Sequence, residues 1–349
     1  MEDVSAATRI VGKRITARDA NDIIEKGYVV CDGIFGKKKA DKFREEIKTL
    51  ARTSQMIENR VRFGKSIFTK PNIFEVDLHD ASLRKKTTEF NRLFHDNCIV
   101  KRLKVLLPSL GVGSGSDRVT VKLQWNRGRG GCFPLHYDNP GRPSNRLLTC
   151  LVYLNPDWTE GDGGELELIP FLSNPQKIAP LHDRMVIFRS DRVLHRVLQA
   201  TRERFCFTIW IDGSDVNSDD DVFLKSKHLQ TSAVEFLKRS PLQRVLSRAV
   251  YDEEYVRSIV ECMGEGTDAS LTMLASHRMH VASLRNNSSL ATFLGDLRER
   301  KPRALSDCGD AHESREANQV TGEDDGRATC SSSAASASSD DAADEVDLD

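Results

Sequence analysis

The sequence predicts a mixed α+β protein, with a mainly β core of the sandwich, barrel or jelly-roll kind between supporting N-terminal helices and a helical C-terminal extension. Apolar residues recur at helical spacing before residue 118 and after residue 214. Between those points, short β-rich runs alternate with turns of Gly, Pro, Asn and Asp. Many short strands separated by such turns are typical of closed or two-layered β folds.

The N-terminal region, residues 1–117, is predicted to be helical with one short strand. Thr16 is a candidate N-cap, because its hydroxyl can accept a hydrogen bond from a first-turn amide. Tyr28–Cys31 is predicted to be a strand closed by an Asp-Gly turn. Apolar residues between positions 40 and 50 are three or four apart, which predicts one buried helix face. A second helix is predicted over Leu83–Leu107, ending before a proline.

The rest of the chain is divided by its texture. Residues 301–349 hold 13 acidic and 4 basic side chains and no aromatic residue, so they are predicted to form a disordered acidic tail. The predicted division is a support region 1–117, a β core 118–213, a helical extension 214–300 and the tail 301–349. The predicted core strands are Val119–Trp125, Arg146–Leu154, Glu165–Ile169, Arg184–Phe188 and Arg204–Ile211.

Composition excludes several classes of protein. The 349 residues have a formal net charge of −1, so overall charge gives no argument for nucleic-acid binding. No run approaches the roughly 20 apolar residues of a membrane span, and the first residues lack a signal-peptide pattern. Eight cysteines lie apart without a CxxC pair, which favours reduced thiols over a disulfide framework or a zinc site. We expect a cytoplasmic or nuclear protein without a membrane partner.

Three residues of the β-rich block form a candidate metal site. His136 and Asp138 are two positions apart, so a strand there directs both side chains to one face. His195 can approach from a neighbouring strand of the same barrel. Two histidines and one carboxylate are the facial ligand set of non-haem Fe(II) oxygenases, which leaves positions open for a co-substrate and O₂. An H-x-D pair or a single histidine is common by chance, so the prediction depends on their joint order in one block.

Arg204 extends this prediction to a co-substrate. It begins an apolar run, and a guanidinium directed into an apolar barrel requires an anion, for which a carboxylate is a bidentate match. We therefore expect a dicarboxylic co-substrate that chelates iron at one end and binds Arg204 at the other. Tyr153 and Thr208 are the hydroxyl-bearing residues expected near that second carboxylate, since Thr208 shares a strand face with Arg204.

The block resembles the Fe(II)- and 2-oxoglutarate-dependent dioxygenases of the prolyl 4-hydroxylase type, including the hypoxia-factor prolyl hydroxylases. The resemblance covers about Val119–Gly213. It implies a double-stranded β-helix, a distorted jelly roll, with iron held by the two histidines and the aspartate and with 2-oxoglutarate held by Arg204. It is carried by HYDNP (136–140), RLLTCLVYLNPDW (146–158), DGGELELIP (162–170), DRMVIFRSDRVLHRV (183–197) and RFCFTIW (204–210).

The same resemblance implies roles for further residues. Tyr153 matches the family's tyrosine that assists the distal carboxylate, and Trp210 matches a pocket residue, as does Thr208. Arg146 matches an arginine near the substrate entrance. The hypoxia-factor enzymes have a tyrosine on the strand before H-x-D, and this sequence has none there. We expect Gln124 or Asn126 to replace its hydrogen bonds to the co-substrate.

The implied reaction hydroxylates a C–H bond while 2-oxoglutarate becomes succinate and CO₂, with ascorbate supporting the iron. The first hypothesis is a protein prolyl 4-hydroxylase of the peptidyl-proline type with a protein or peptide substrate. One alternative is an oxygenase of another substrate class, a nucleic-acid demethylase or a small-molecule hydroxylase; the other is a non-catalytic β-barrel scaffold. Nucleic acid is disfavoured, because basic and acidic residues are mixed and no aromatic–basic stacking platform is found. No oligomeric state is predicted.

Overall fold

Two antiparallel sheets form the centre of the computed structural model, which describes residues 11, 13–63, 66–113, 118–214, 216 and 223–302. The strands are β1 (Tyr28–Asp32), β2 (Ile57–Phe63), β3 (Ser66–Asp77), β4 (Val119–Asn126), β5 (Gly131–His136), β6 (Arg146–Tyr153), β7 (Leu166–Pro170), β8 (Gln176–Ile178), β9 (Arg184–Arg189), β10 (Val193–Ala200) and β11 (Arg204–Asp212). The larger sheet has the order β1-β9-β6-β11-β4-β3-β2, and the smaller has the order β5-β10-β7-β8.

The two sheets pack face to face. Leu151 and Phe188 of the larger sheet belong to one buried cluster with Phe133, Leu166 and Val197 of the smaller sheet. Alternate side chains of each strand therefore fill a shared interior, as in a sandwich or jelly roll. This confirms the predicted double-stranded β-helix core and the α+β class.

The N-terminal helices cover the outer face of the larger sheet. They are α1 (Ala17–Glu25), α2 (Lys37–Arg52), α3 (Ala81–Arg84), α4 (Thr88–Asp96) and α5 (Cys98–Leu106). Thr16 caps α1 as predicted, accepting a hydrogen bond from the Asp19 amide at 3.3 Å. The face of α2 at positions 40, 43, 47 and 50 is buried as predicted. Its Phe43 ring lies 5.3 Å from the ring of Phe207 on β11, which fixes the helix against a central strand.

The helix predicted over Leu83–Leu107 is wrong in its continuity, because three helices occupy that segment. Asn97, between α4 and α5, has a left-handed backbone with φ of 52°. Asparagine tolerates this conformation better than most residues, since its short amide can hydrogen-bond locally. The apolar spacing continues across the break, so periodicity alone does not reveal it.

The hairpin β2–β3 was not predicted, yet it extends the larger sheet through the pairing of β3 with β4. Its charged residues interrupt the apolar runs by which the other strands were recognised. The predicted boundary at residue 118 consequently falls inside one sheet, because β1, β2 and β3 precede it.

The C-terminal extension is helical where it is described. Its helices are α6 (Val234–Arg239), α7 (Gln243–Val250), α8 (Asp252–Met263), α9 (Asp268–Arg285) and α10 (Ser288–Glu299). They pack against the smaller sheet, where the Tyr137 hydroxyl lies 2.6 Å from the Ser247 hydroxyl of α7. Among the described helices, none combines the length and apolar character needed to cross a membrane. The predicted acidic tail lies outside the described residues from position 303 onward.

One pair of cysteines contradicts the prediction that the thiols are all reduced. Cys132 of β5 and Cys262 of α8 form a disulfide, with Cα atoms 5.4 Å apart. The two residues are 130 positions apart, so the sequence contains no spacing signal for their pairing. Four described cysteines are free and buried: Cys31, Cys98, Cys150 and Cys206. The cytoplasmic or nuclear location stays a prediction.

Candidate active site

The predicted metal ligands meet where β5 pairs with β10. His136 and His195 are directly opposite each other in this pairing, and Asp138 follows two residues after β5 ends. The Nε2 atoms of the two histidines lie 3.4 Å and 3.7 Å from Asp138 Oδ1. One potential ligand atom from each residue lies within 4.8 Å of the others. A single ion can therefore contact all three side chains.

Backbone carbonyls orient both imidazoles. His136 Nδ1 lies 2.8 Å from the carbonyl oxygen of Pro134, and His195 Nδ1 lies 3.1 Å from that of Val193. A carbonyl only accepts, so each Nδ1 carries the proton and each Nε2 directs a lone pair towards Asp138. Burial and the nearby His136 lower the pKa of His195 to about 4 against the opposing effect of Asp138. The ring is neutral at physiological pH, which is the form that binds metals.

Asp138 is held by two donors on its other oxygen. Its Oδ2 accepts hydrogen bonds from Thr149 Oγ1 at 2.6 Å and from Trp210 Nε1 at 3.1 Å, which leaves Oδ1 facing the histidines. Burial alone raises the pKa of the Asp138 carboxyl, but His195, His136 and the Thr149 hydroxyl together hold it well below its usual range. Hydrogen bonds of this kind fix the orientation of a metal-binding carboxylate.

Arg204 is the second functional group of the interior. Its side chain is buried, with 2% of the residue exposed, and its guanidinium carbon lies 4.8 Å from the centroid of the Tyr153 ring. Nη1 donates to Gln124 Oε1 at 3.3 Å. Among the described residues, Arg204 Nε and Nη2 and the Tyr153 hydroxyl have no hydrogen-bond partner. Buried donors without acceptors are unfavourable, and this set is complementary to a carboxylate. We call Arg204, Tyr153 and Gln124 together the arginine pocket.

A glycine makes room for the arginine pocket. Gly164 has φ of +75°, and a Cβ added to it would lie 2.9 Å from Cδ of Arg204. A larger residue at this position would therefore strain the backbone and displace the guanidinium.

The other predicted site residues divide into two groups. The cavity that contains Arg204 and the metal triad (His136, Asp138 and His195) is also lined by Gln124, Thr208 and Trp210. Arg146 lies beside this cavity, with its guanidinium carbon 4.2 Å from the centroid of the Trp210 ring. It supports the tryptophan that holds Asp138, and its predicted contact with substrate stays a prediction.

Of the two residues predicted to replace the tyrosine, Asn126 has its amide engaged elsewhere. Its Nδ2 donates to the Gly131 carbonyl at 2.9 Å, and its Oδ1 accepts from the Gly128 amide at 3.0 Å. Both ends of the amide thus stabilise the turn between β4 and β5, and Asn126 is absent from the cavity lining. Gln124, two residues earlier on the same strand face, occupies the cavity instead.

Sequence reasoning missed several lining residues. The sequence pattern could have identified Thr149, because Thr149, Leu151 and Tyr153 are two positions apart along β6 and their side chains share its inward face. Asn59, Lys70, Glu75 and Lys122 also line the cavity. The first three belong to the unpredicted hairpin, so no pattern placed them near the metal triad.

Comparisons with known proteins agree with this geometry. The 2OG-Fe(II) oxygenase superfamily matches residues 122–212. A solved structure described as a prolyl 4-hydroxylase from Phytophthora capsici is 42% identical, with a TM-score of 0.74. That similarity covers 84% of this chain and 95% of that one. The chain belongs to the prolyl 4-hydroxylase type of 2OG-Fe(II) oxygenases. Fe(II), 2-oxoglutarate and O₂ are the requirements of this family, and the triad and the arginine pocket fit the first two.

More distant relatives share parts of this oxygenase. Egl nine homolog 1 is 36% identical over 91 residues, in both Rattus norvegicus and Homo sapiens. The match covers 25% of this chain, and 27% and 21% of those proteins. The chain thus spans about a quarter of the length of the curated relatives it matches. A Trichoplax adhaerens prolyl hydroxylase, solved with a hypoxia-inducible-factor peptide, shares the fold with a TM-score of 0.51 at 20% identity, covering 61% of this chain and 93% of that one.

Proposed function

We propose that this oxygenase hydroxylates prolyl residues of a protein or peptide, using Fe(II), 2-oxoglutarate and O₂. The observation that carries the proposal is one cavity containing both a two-histidine, one-carboxylate cluster and a buried arginine with unmet donors. The similarity to a prolyl 4-hydroxylase over 95% of that protein's length supports the choice of proline.

The residues have separate tasks in this proposal. His136, Asp138 and His195 hold Fe(II), which needs neutral imidazoles and an ionised carboxylate. Arg204 and Tyr153 bind the distal carboxylate of 2-oxoglutarate. When bound, the iron and co-substrates supply the oxidising chemistry, in which 2-oxoglutarate and O₂ yield succinate, CO₂ and one oxygen atom for the substrate C–H bond.

The walls of the cavity keep this chemistry dry. Leu151, Leu166, Phe188 and Val197 line the cavity beside the triad and are buried. Apolar walls exclude water, which strengthens the electrostatic contacts of the site and protects reactive species from side reactions.

The test is a coupled assay with peptide and protein pools. Purified enzyme is given Fe(II), 2-oxoglutarate, ascorbate and a digest rich in prolyl peptides, and products are identified by mass spectrometry. We expect peptides that gain one oxygen on proline, 4-hydroxyproline after acid hydrolysis, and an equal amount of succinate. The His136→Ala variant is the control and should give neither product. Oxygen insertion only into residues other than proline, or succinate formed with no oxidised peptide, would overturn prolyl specificity.

A further inference from the structure

One wall of the cavity is formed by the hairpin β2–β3, and its polar residues have no role in the mechanism above. Asn59 and Lys70 come from this hairpin and line the cavity together with the metal triad. We call these two residues the hairpin wall. Both residues are buried, so their polar groups are directed into the site rather than into bulk solvent.

The neighbouring charges are already paired. Glu75 Oε2 accepts a hydrogen bond from Asn59 Nδ2 at 2.5 Å, and Glu75 Oε1 lies 3.3 Å from Lys122 Nζ. Glu75 and Lys122 therefore neutralise each other within the cavity lining. In the Asn59 amide, Nδ2 thus donates a hydrogen bond and Oδ1 accepts none.

Lys70 has no such partner. It is 5% exposed, and the described residues offer it neither a hydrogen bond nor an ion pair. Its Nζ lies 4.5 Å from the centroid of the Phe133 ring. A ring face offsets only a small part of the hydration lost by a buried ammonium. Asn59 Oδ1 is likewise buried without a donor. The hairpin wall thus presents one unpaired cation and one unpaired acceptor.

Binding of iron and 2-oxoglutarate would leave Lys70 and Asn59 Oδ1 without partners. With Fe(II) and 2-oxoglutarate bound, Asp138 and one carboxylate of the co-substrate would balance the charge of the metal, and the other carboxylate would balance Arg204. With Glu75 paired to Lys122, Lys70 is the one uncompensated charge among the described residues that line the cavity. Lys70 is therefore available to an anionic group of the substrate.

We propose that Lys70 binds a carboxylate of the peptide substrate and that Asn59 Oδ1 accepts a peptide N–H beside it. The substrate is therefore acidic close to the hydroxylated residue. This inference rests on the proposed function, because it names the class of peptide that the same site accepts.

The experiment measures binding, so it does not depend on turnover. Fluorescent peptides with one central proline carry Glu, Gln or Lys at one flanking position at a time. Their affinities are measured by anisotropy with the Fe(II)- and 2-oxoglutarate-loaded enzyme without O₂. Lys70→Met removes the charge, Lys70→Arg retains it, and Lys177→Met is a matched change at an exposed lysine of β8.

We expect Glu to bind about tenfold better than Gln at one position in the wild type, as for a charge-assisted hydrogen bond. The preference should vanish in Lys70→Met and persist in Lys70→Arg and Lys177→Met. An equal affinity for Glu and Gln peptides, or a preference that survives Lys70→Met, overturns the inference. So does a Lys70→Met variant that needs more 2-oxoglutarate but keeps its peptide preference, because Lys70 then serves the co-substrate.

The same peptides separate this inference from the proposed function. Admitting O₂ and finding no hydroxyproline in a peptide with Lys70-dependent affinity would overturn prolyl hydroxylation and leave the acidic-peptide site standing. Hydroxyproline formed equally from Glu and Gln peptides, with equal affinities, would overturn the acidic-peptide site and leave prolyl hydroxylation standing.

Discussion

The arginine pocket and the hairpin wall each contain a buried cation with unmet donors, yet they are built differently. Arg204 lies on β11, between β6 and β4 in the middle of the larger sheet. Lys70 lies where the pairing of β2 with β3 shifts register, on the hairpin at the end of that sheet. Arg204 is paired with Asn126 of β4, which fixes it for a constant ligand. Lys70 falls between Thr69 and Ile73, the nearest residues of β3 that pair with a neighbouring strand, so fewer backbone contacts hold it. This suits the part of the site that chooses the substrate.

The strongest way to test the arginine pocket is to remove its cation. Arg204→Ala should raise the 2-oxoglutarate concentration for half-saturation by about a hundredfold, since charge-assisted bidentate contacts are lost. Succinate release measured against 2-oxoglutarate concentration checks this. Arg202→Ala, an exposed arginine two residues earlier, is the control and should leave the curve unchanged. An Arg204→Ala variant with wild-type saturation would refute the carboxylate assignment.

Lys70 should instead destabilise the fold, as expected of a group kept for binding. Burial lowers the pKa of Lys70 to about 8 against the opposing pull of Glu75, while the unfolded value is about 10.5. The unfolded chain binds this proton more tightly, so the free energy of unfolding rises as pH increases from about 8 to 10.5. Lys70→Met should therefore add about 3 kcal/mol to the free energy of unfolding at pH 7, and this gain should shrink across that window.

Chemical denaturation at several pH values measures the Lys70 effect. Lys70→Arg keeps a charge and should not be stabilised. A Lys70→Met variant that is less stable than wild type at pH 7 would show that the lysine supports the fold. It would contradict the view that Lys70 lowers stability because it is kept for binding.

A smaller effect, on Fe(II) affinity, is expected from Thr149, which supports the metal ligand Asp138. Thr149→Val removes the hydroxyl that donates to Asp138 Oδ2 at 2.6 Å while preserving the shape of the side chain. Loss of a partner that orients a ligand weakens metal binding by roughly tenfold. Fe(II) affinity measured by competition with a chromogenic chelator tests this, and Thr149→Ser should restore it. Equal affinities for all three proteins would show that Asp138 needs no such support.

The two regions also differ in how far the sequence predicts them. His136, Asp138, His195 and Arg204 lie in one β-rich block, where strand alternation and motif order place them on a shared interior. Asn126 follows the same alternation, yet its amide makes its hydrogen bonds to the turn next to it. Periodicity predicts which face a side chain is on and does not predict which local hydrogen bonds compete for it.

The hairpin wall could not be predicted from such patterns. Asn59 and Lys70 reach the cavity only because β3 pairs with β4, a contact between segments about fifty residues apart. The disulfide between Cys132 and Cys262 has the same origin, since β5 and α8 meet only in the folded chain. Residues placed by long-range packing leave no local signal in a single sequence.

The central claim is that His136, Asp138 and His195 hold Fe(II) within reach of bound 2-oxoglutarate. The most direct test adds Fe(II) and 2-oxoglutarate to the purified protein without O₂ and records the visible iron-to-ligand charge-transfer band. We predict a band in the wild type and none in His195→Ala, with both proteins folded by circular dichroism. A folded wild-type protein without the band, or a His195→Ala variant that retains it, would contradict the assignment of the metal site.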